Sequence, residues 1–89
     1  MKISLIKFGD ILTSRPAGRD AALSLKAYMK PKKNELIELD FKGVISVGPS
    51  WLDEFLAILR EEFGKKRVII LPTTNPSVRE SLRVIDGKN

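Results

Sequence analysis

The sequence predicts a small α/β domain over residues 1–89, with a mostly parallel or mixed β-sheet of three to four strands and about three helices. Three observations predict it. Short β-prone runs alternate along the chain with apolar stripes at helical spacing, and strand-helix-strand order implies parallel pairing through right-handed crossovers. Residues 68–71 are a continuous β-branched and apolar run, the pattern of a central strand covered on both faces. With 89 residues, 43% hydrophobic and 30% charged, the chain has the composition of an ordinary globule, and a domain of this size buries about 60% of its unfolded surface.

The elements follow in order. Ile3, Leu5 and Lys7 alternate with Ser4 and Ile6 in a first strand that ends at the turn signal Phe8-Gly9-Asp10. Ile11 and Leu12 come next, either as a second hairpin arm or as an extended lead-in. Over residues 16–30, Ala17, Ala21, Ala22, Leu25, Tyr28 and Met29 recur at spacings of three and four, an apolar stripe on a first helix whose first turn accommodates Pro16. Residues 31–34 break that helix. Residues 36–41 form a second strand with Ile37, Leu39 and Phe41 on one face and Leu36, Glu38 and Asp40 on the other.

After a loop with two glycines and a proline, Leu52, Phe55, Leu56, Leu59 and Phe63 line a second helix over residues 51–63. Residues 68–71 make the third strand, stopped by Pro72. Asn75-Pro76 reads as an N-cap followed by a first-turn proline, and Val78, Leu82 and Ile85 form the inner face of a last helix ending before Gly87.

Composition excludes several chemistries. The chain has no Cys and no His, which removes disulfides, thiolate nucleophiles, the usual zinc sites and catalysis with an imidazole base. No glycine pattern matches a phosphate loop or a dinucleotide fingerprint, so no cofactor is expected. Glu38 and Asp40 share a strand face without a third ligand, a weak metal signal, so no metal is expected either. The uncharged stretches fall far short of the ~20 apolar residues of a membrane span, and no signal sequence precedes the first strand, so the expected location is the cytoplasm.

The formal charge is +5 and is unevenly spread. Residues 1–33 hold eight basic and two acidic side chains, residues 34–63 two and seven, and residues 64–89 six and two. That distribution suits one basic and one acidic surface. If the strands run parallel, residues 8–15, 42–49 and 72–75 gather at the carboxyl end of the sheet, where open α/β sheets bind ligands. Lys30, Lys32 and Lys33 then share the opposite end with Lys65, Lys66 and Arg67.

Two stretches at the carboxyl end carry candidate sites. At Val47-Gly48-Pro49-Ser50-Trp51-Leu52-Asp53-Glu54, a serine stands three residues before an acid, a capping-box pattern in which Ser50 is either the N-cap or a docking and phosphorylation site. Trp51 lies beside the apolar stripe and is expected to be half exposed, packing its edge or anchoring a partner. At Ser14-Arg15-Pro16-Ala17-Gly18-Arg19, two guanidinium groups sit at a helix start, forming an anion cradle of Ser14, Arg15, Gly18 and Arg19, or pairing with Asp40 or Asp53 across the loops. Gly18 suggests close backbone packing.

The run from Leu39 through Asp40, Phe41, Gly43, Gly48, Pro49 and Ser50 to Glu54, with Ser14-Arg15 and Gly18-Arg19 upstream, resembles the STAS-like domain family, the relative of the STAS domains of bacterial anti-sigma-factor antagonists and sulfate transporters. The resemblance implies a non-enzymatic signalling module. Its second helix start would dock a partner protein, in the antagonists a histidine-kinase-like ATPase that phosphorylates a serine there. Aligned through Asp40 and Leu52, that serine falls on Pro49, with Ser50 one residue later, and the antagonists' neighbouring glycine is Trp51. The expected partner contact is therefore Pro49, Ser50, Trp51, Asp53 and Glu54. Two alternatives stand beside it: nucleic-acid binding through the lysine-rich end, and anion or small-ligand binding at Arg15 and Arg19.

Overall fold

The computed structural model describes residues 1–87. In chain order it contains β1 (Lys2–Ser4), a 3-10 helix (Leu5–Phe8), β2 (Ile11–Leu12), α1 (Arg15–Tyr28), β3 (Ile37–Asp40), β4 (Ser46–Val47), α2 (Pro49–Phe63), β5 (Val68–Ile70) and α3 (Pro76–Asp86). Every strand pairing is parallel, as the alternating order requires. One sheet has the order β1-β3-β5, and β2 pairs with β4 in a second, two-stranded sheet.

The two sheets are built from the same two stretches of chain. β1 and β3 pair with Lys2 opposite Glu38, both stretches then break, and β2 and β4 resume with Ile11 opposite Ser46, a register shifted by one residue. Glycine makes both breaks. Gly9 (φ 128°) closes the 3-10 helix with its N–H on the Ile6 carbonyl at 3.0 Å, and Gly43 (φ 90°) sits inside a turn closed by Val44 N–H on the Phe41 carbonyl at 3.0 Å. The first strand is thus shorter than its alternation predicts. Leu5 leaves the strand pattern and is buried from the 3-10 turn instead. Ile11 and Leu12 are neither a hairpin arm nor a lead-in, since they pair in parallel with the second interrupted stretch.

Burial alternates along β1 and β3, with Ile3, Ile37 and Leu39 buried and their neighbours less so, which shows a sheet covered on one face. β5 is therefore an edge strand, not the doubly covered central strand expected from residues 68–71. Only Val68 of its three residues is fully buried. The central strand is β3.

Ser14 caps α1 by accepting the Ala17 N–H at 3.2 Å, and the helix buries Gly18, Ala21, Ala22 and Leu25. Tyr28, expected in that stripe, is 62% exposed instead, its ring turned back along α1 so that its hydroxyl lies 3.1 Å from Ser24 Oγ. α2 supplies the opposing large side chains: Trp51, Leu52, Phe55, Leu56 and Leu59 are all buried. Small residues on one helix receive large ones from the other. A Cβ on Gly18 would overlap the Trp51 carbonyl oxygen and lie 3.0 Å from the Trp51 carbonyl carbon and Cα. The close packing suggested by this glycine is present.

α3 begins as its sequence indicates, with Asn75 Oδ1 accepting the Ser77 N–H at 2.9 Å. It then completes the small sheet. Val47 turns its N–H and C=O away from β2. Ser77 Oγ accepts that N–H at 3.0 Å, and Ser81 Oγ donates to that carbonyl at 2.6 Å. Asn75 Nδ2 donates to the Val44 carbonyl at 2.8 Å. Ser81 is buried, so Ser81→Ala should leave a buried carbonyl without its donor and cost about 1–3 kcal/mol. Urea denaturation would measure it, and a loss within error would show that the hydroxyl is dispensable.

Candidate functional site

The starts of α1 and α2 lie side by side at the carboxyl end of β2 and β4. Arg15, the first residue of α1, places Nη1 3.3 Å from Asp53 Oδ2 and 3.1 Å from Glu54 Oε1, and Arg19 Nη1 lies 3.6 Å from Glu54 Oε2. The anion-cradle residues and the acidic partner-contact residues are therefore one ion-pair cluster. Hydrogen bonds donated to Glu54 and then to Asp53 hold the Arg15 guanidinium above its usual pKa.

In this arrangement the cradle residues are engaged within the protein. The guanidiniums already face the protein's own carboxylates, the Ser14 hydroxyl is used as a cap, and Gly18 is covered by the Trp51 backbone. Of the two pairings open to Arg15, Asp53 is realised and Asp40 is not. Asp40 Oδ1 instead accepts the Lys42 N–H at 3.0 Å, and Oδ2 lies 3.4 Å from Lys2 Nζ.

Ser50 is not the N-cap. Gly48 takes that position and Pro49, which has no N–H to satisfy, occupies the first helical position, which starts the helix before Ser50. Its side chain is exposed, as is that of Pro49. Trp51 is 1% exposed, not half exposed. It stacks on Phe55 with centroids 4.7 Å apart at 19°, and Phe8 meets Phe55 edge-on at 6.2 Å. Periodicity places Trp51 beside the stripe, but the small residues of α1 leave room that its ring fills. It cannot be a surface anchor, so its part in any docking face is to hold that face up.

Two exposed isoleucines that the sequence does not single out as site residues lie on the stretches of chain leading into this end. Ile11 is 61% exposed and Ile45 66%, and the Ile45 N–H donates to the Asp10 carbonyl at 2.8 Å, which brings the two stretches together. Their only signal was an apolar side chain next to a turn, which many buried residues share. A recess of about 350 Å³ is lined by Ile11, Leu12, Ala17, Asp20, Ala21 and Trp51, whereas Ile45 lines a separate one with Phe41, Thr74 and Pro76. Among the described residues no group of three metal-ligating side chains occurs, and no helix is long and apolar enough to cross a membrane.

Two carboxyls contribute to the acid response. Asp40 is held below its ordinary pKa by the Lys42 N–H and then by Lys2, and Glu35 by the Lys32 N–H and then by the Met1 ammonium. A lowered folded pKa adds stability that is present above the unfolded value, near 4, and is lost as pH falls through the folded value. The melting temperature should therefore decline below about pH 4.5, and less steeply in Asp40→Asn and Glu35→Gln. Identical acid slopes in the variants would sink that attribution.

Parallel strands alternating with helices, and two helix starts braced together at one end, define a small α/β domain whose exposed loops cluster on a fixed frame. A family model described as a STAS-like domain of unknown function matches residues 21–78, and the chain belongs to that family. The match includes Pro49, Ser50, Trp51, Asp53 and Glu54, whereas Arg15 and Arg19 precede it. No curated protein and no solved structure matches the chain.

Proposed function

We propose that this STAS-like domain is a non-enzymatic regulatory module that docks a partner protein at the start of α2. Pro49 and Ser50 are the contact, Ile11 and Ile45 are its apolar flank, and the Arg15, Arg19, Asp53 and Glu54 cluster is its polar rim. One observation carries the reading: an exposed helix start is braced by ion pairs and by the Gly18 contact, and the stretches of chain that lead into this end carry two largely exposed isoleucines, Ile11 and Ile45. Apolar centre and charged rim are the usual anatomy of a protein interface. Family resemblance supports a histidine-kinase-like ATPase as the partner class and a cytoplasmic setting. Ser50, exposed in the first turn of α2, is the phosphorylation candidate.

The test is site-specific photocrosslinking in native lysate, with a photoreactive residue at position 45, 50 or 66. Adducts to one protein at 45 and 50 and none at 66 would support the reading. With that protein purified, Ile45→Asp should weaken binding by about tenfold or more without lowering the melting temperature. Adducts at 66 alone, or unchanged affinity in Ile45→Asp, would overturn it.

A further inference from the structure

We propose that the opposite end of the molecule binds single-stranded nucleic acid, its phosphates on Lys30, Lys32, Lys33, Lys65 and Lys66 and a base on Tyr28. The two lysine turns are held together by Arg67. Its Nε donates to the Glu35 carbonyl at 3.1 Å, its Nη2 donates to the Lys32 carbonyl at 2.9 Å, and its own carbonyl accepts the Ile37 N–H at 2.7 Å. Five ammonium groups thus project from one cross-braced rim. All five are exposed, and their number equals the whole net charge of the chain.

Clustering separates these cations from Lys7, Lys42 and Arg79, which are also without a carboxylate within 4.0 Å among the described residues but do not share these two turns. Lys2, Arg15, Arg19, Lys26 and Arg83 each have a carboxylate within 4.0 Å, whereas none of the five lysines has one among the described residues. Nearby acids are already used. Glu35 lies 3.2 Å from the Met1 ammonium and accepts the Lys32 N–H at 2.8 Å, and Glu62 lies 3.2 Å from Lys26. Glu61, one turn before Lys65, is the carboxylate left over. Clustered, uncompensated cations attract a polyanion and release its counterions.

Tyr28 narrows the partner to a single strand. It ends α1 two residues before Lys30, is 62% exposed, and has its hydroxyl 3.1 Å from Ser24 Oγ, which steadies the ring. Lys7 Nζ lies 5.9 Å from the ring centroid, a sixth cation beside it. An exposed, steadied ring two residues before the first of these lysines and flanked by Lys7 is one on which an unpaired base can stack and which a duplex cannot use.

Fluorescence anisotropy with a labelled 12-nucleotide single-stranded DNA or RNA, the matching duplex, and co-sedimentation with phosphatidylglycerol vesicles together form the test. The single strands should bind with a dissociation constant of about 1–100 µM, with a log–log salt slope near −3.5 for five phosphates. Lys32→Glu with Lys66→Glu should lower affinity more than about tenfold and flatten that slope, while Arg83→Glu on α3 should leave it unchanged. Tyr28→Ala should cost the single strand about tenfold and the duplex nothing. Circular dichroism confirms that each variant is folded. Absence of binding at 100 µM protein in low salt, insensitivity to the lysine pair or to Tyr28→Ala, or tighter binding to vesicles than to oligonucleotide would each overturn the proposal.

Discussion

Gly18→Ala is expected to destabilise the domain strongly, although the same change inside a helix ordinarily stabilises by about 1 kcal/mol. The sign reverses because the added carbon would overlap the Trp51 carbonyl oxygen, and the obstacle is backbone, which cannot rotate away. α1 and α2 must separate along their main interface. Overpacking of this kind costs about 1–3 kcal/mol or more, against a total of about 5–13 kcal/mol for a chain of this length. At about 4–8 °C per kcal/mol, the melting temperature should fall by roughly 10–20 °C. Ala27→Gly, on the exposed side of α1, is the control, with an expected cost of about 1 kcal/mol. A Gly18→Ala protein that melts at or above the wild-type temperature would show that the helices have slack at this crossing.

Trp51→Ala should be the most damaging single side-chain truncation in the chain. The ring is 1% exposed and stacked on Phe55, so its loss removes a large apolar surface and leaves a cavity between α1 and α2. Large aromatic-to-alanine changes in cores cost about 3–5 kcal/mol, and the lost ring pair accounts for about 0.5–1.5 of that kind of penalty. Trp51→Phe keeps a ring and should cost markedly less. Urea denaturation followed by far-UV circular dichroism separates the two. A cost below about 1 kcal/mol for Trp51→Ala would contradict the buried position and return the ring to the surface, where a docking anchor would stand.

Much of the fold is legible in the sequence because its signals are local. The stripe Leu52, Phe55, Leu56, Leu59 and the pair Asn75-Pro76 specify α2 and the start of α3 through side-chain spacing and capping, and both occur as expected. β2 and β4 were not legible as strands. Each has two residues, too few for a period, and their pairing depends on two glycine turns that restore the register at a distance. Trp51 was misplaced for a related reason. Its burial depends on the small face of the neighbouring helix, and periodicity within one helix contains no information about what the other has left vacant. Gly18 did carry that information, as a glycine where a helix would otherwise prefer alanine. At the site, the residue types were legible and Asp53 stood among the partners open to the arginines, but the choice of Asp53 with Glu54 over Asp40 was not, since Arg15 and Asp53 are 38 residues apart and meet only when the helices pack.

The hydroxyls of α3 give the small sheet a finished border. A strand edge normally presents alternating amides and carbonyls to which a foreign strand can add, and proteins protect such edges from intermolecular pairing. Here the outward N–H and C=O of Val47 are both taken by serines on a helix. A neighbouring molecule could extend the sheet at β4 only by first peeling α3 away, so the last helix serves as a molecular stopper against fibre-like growth from that side.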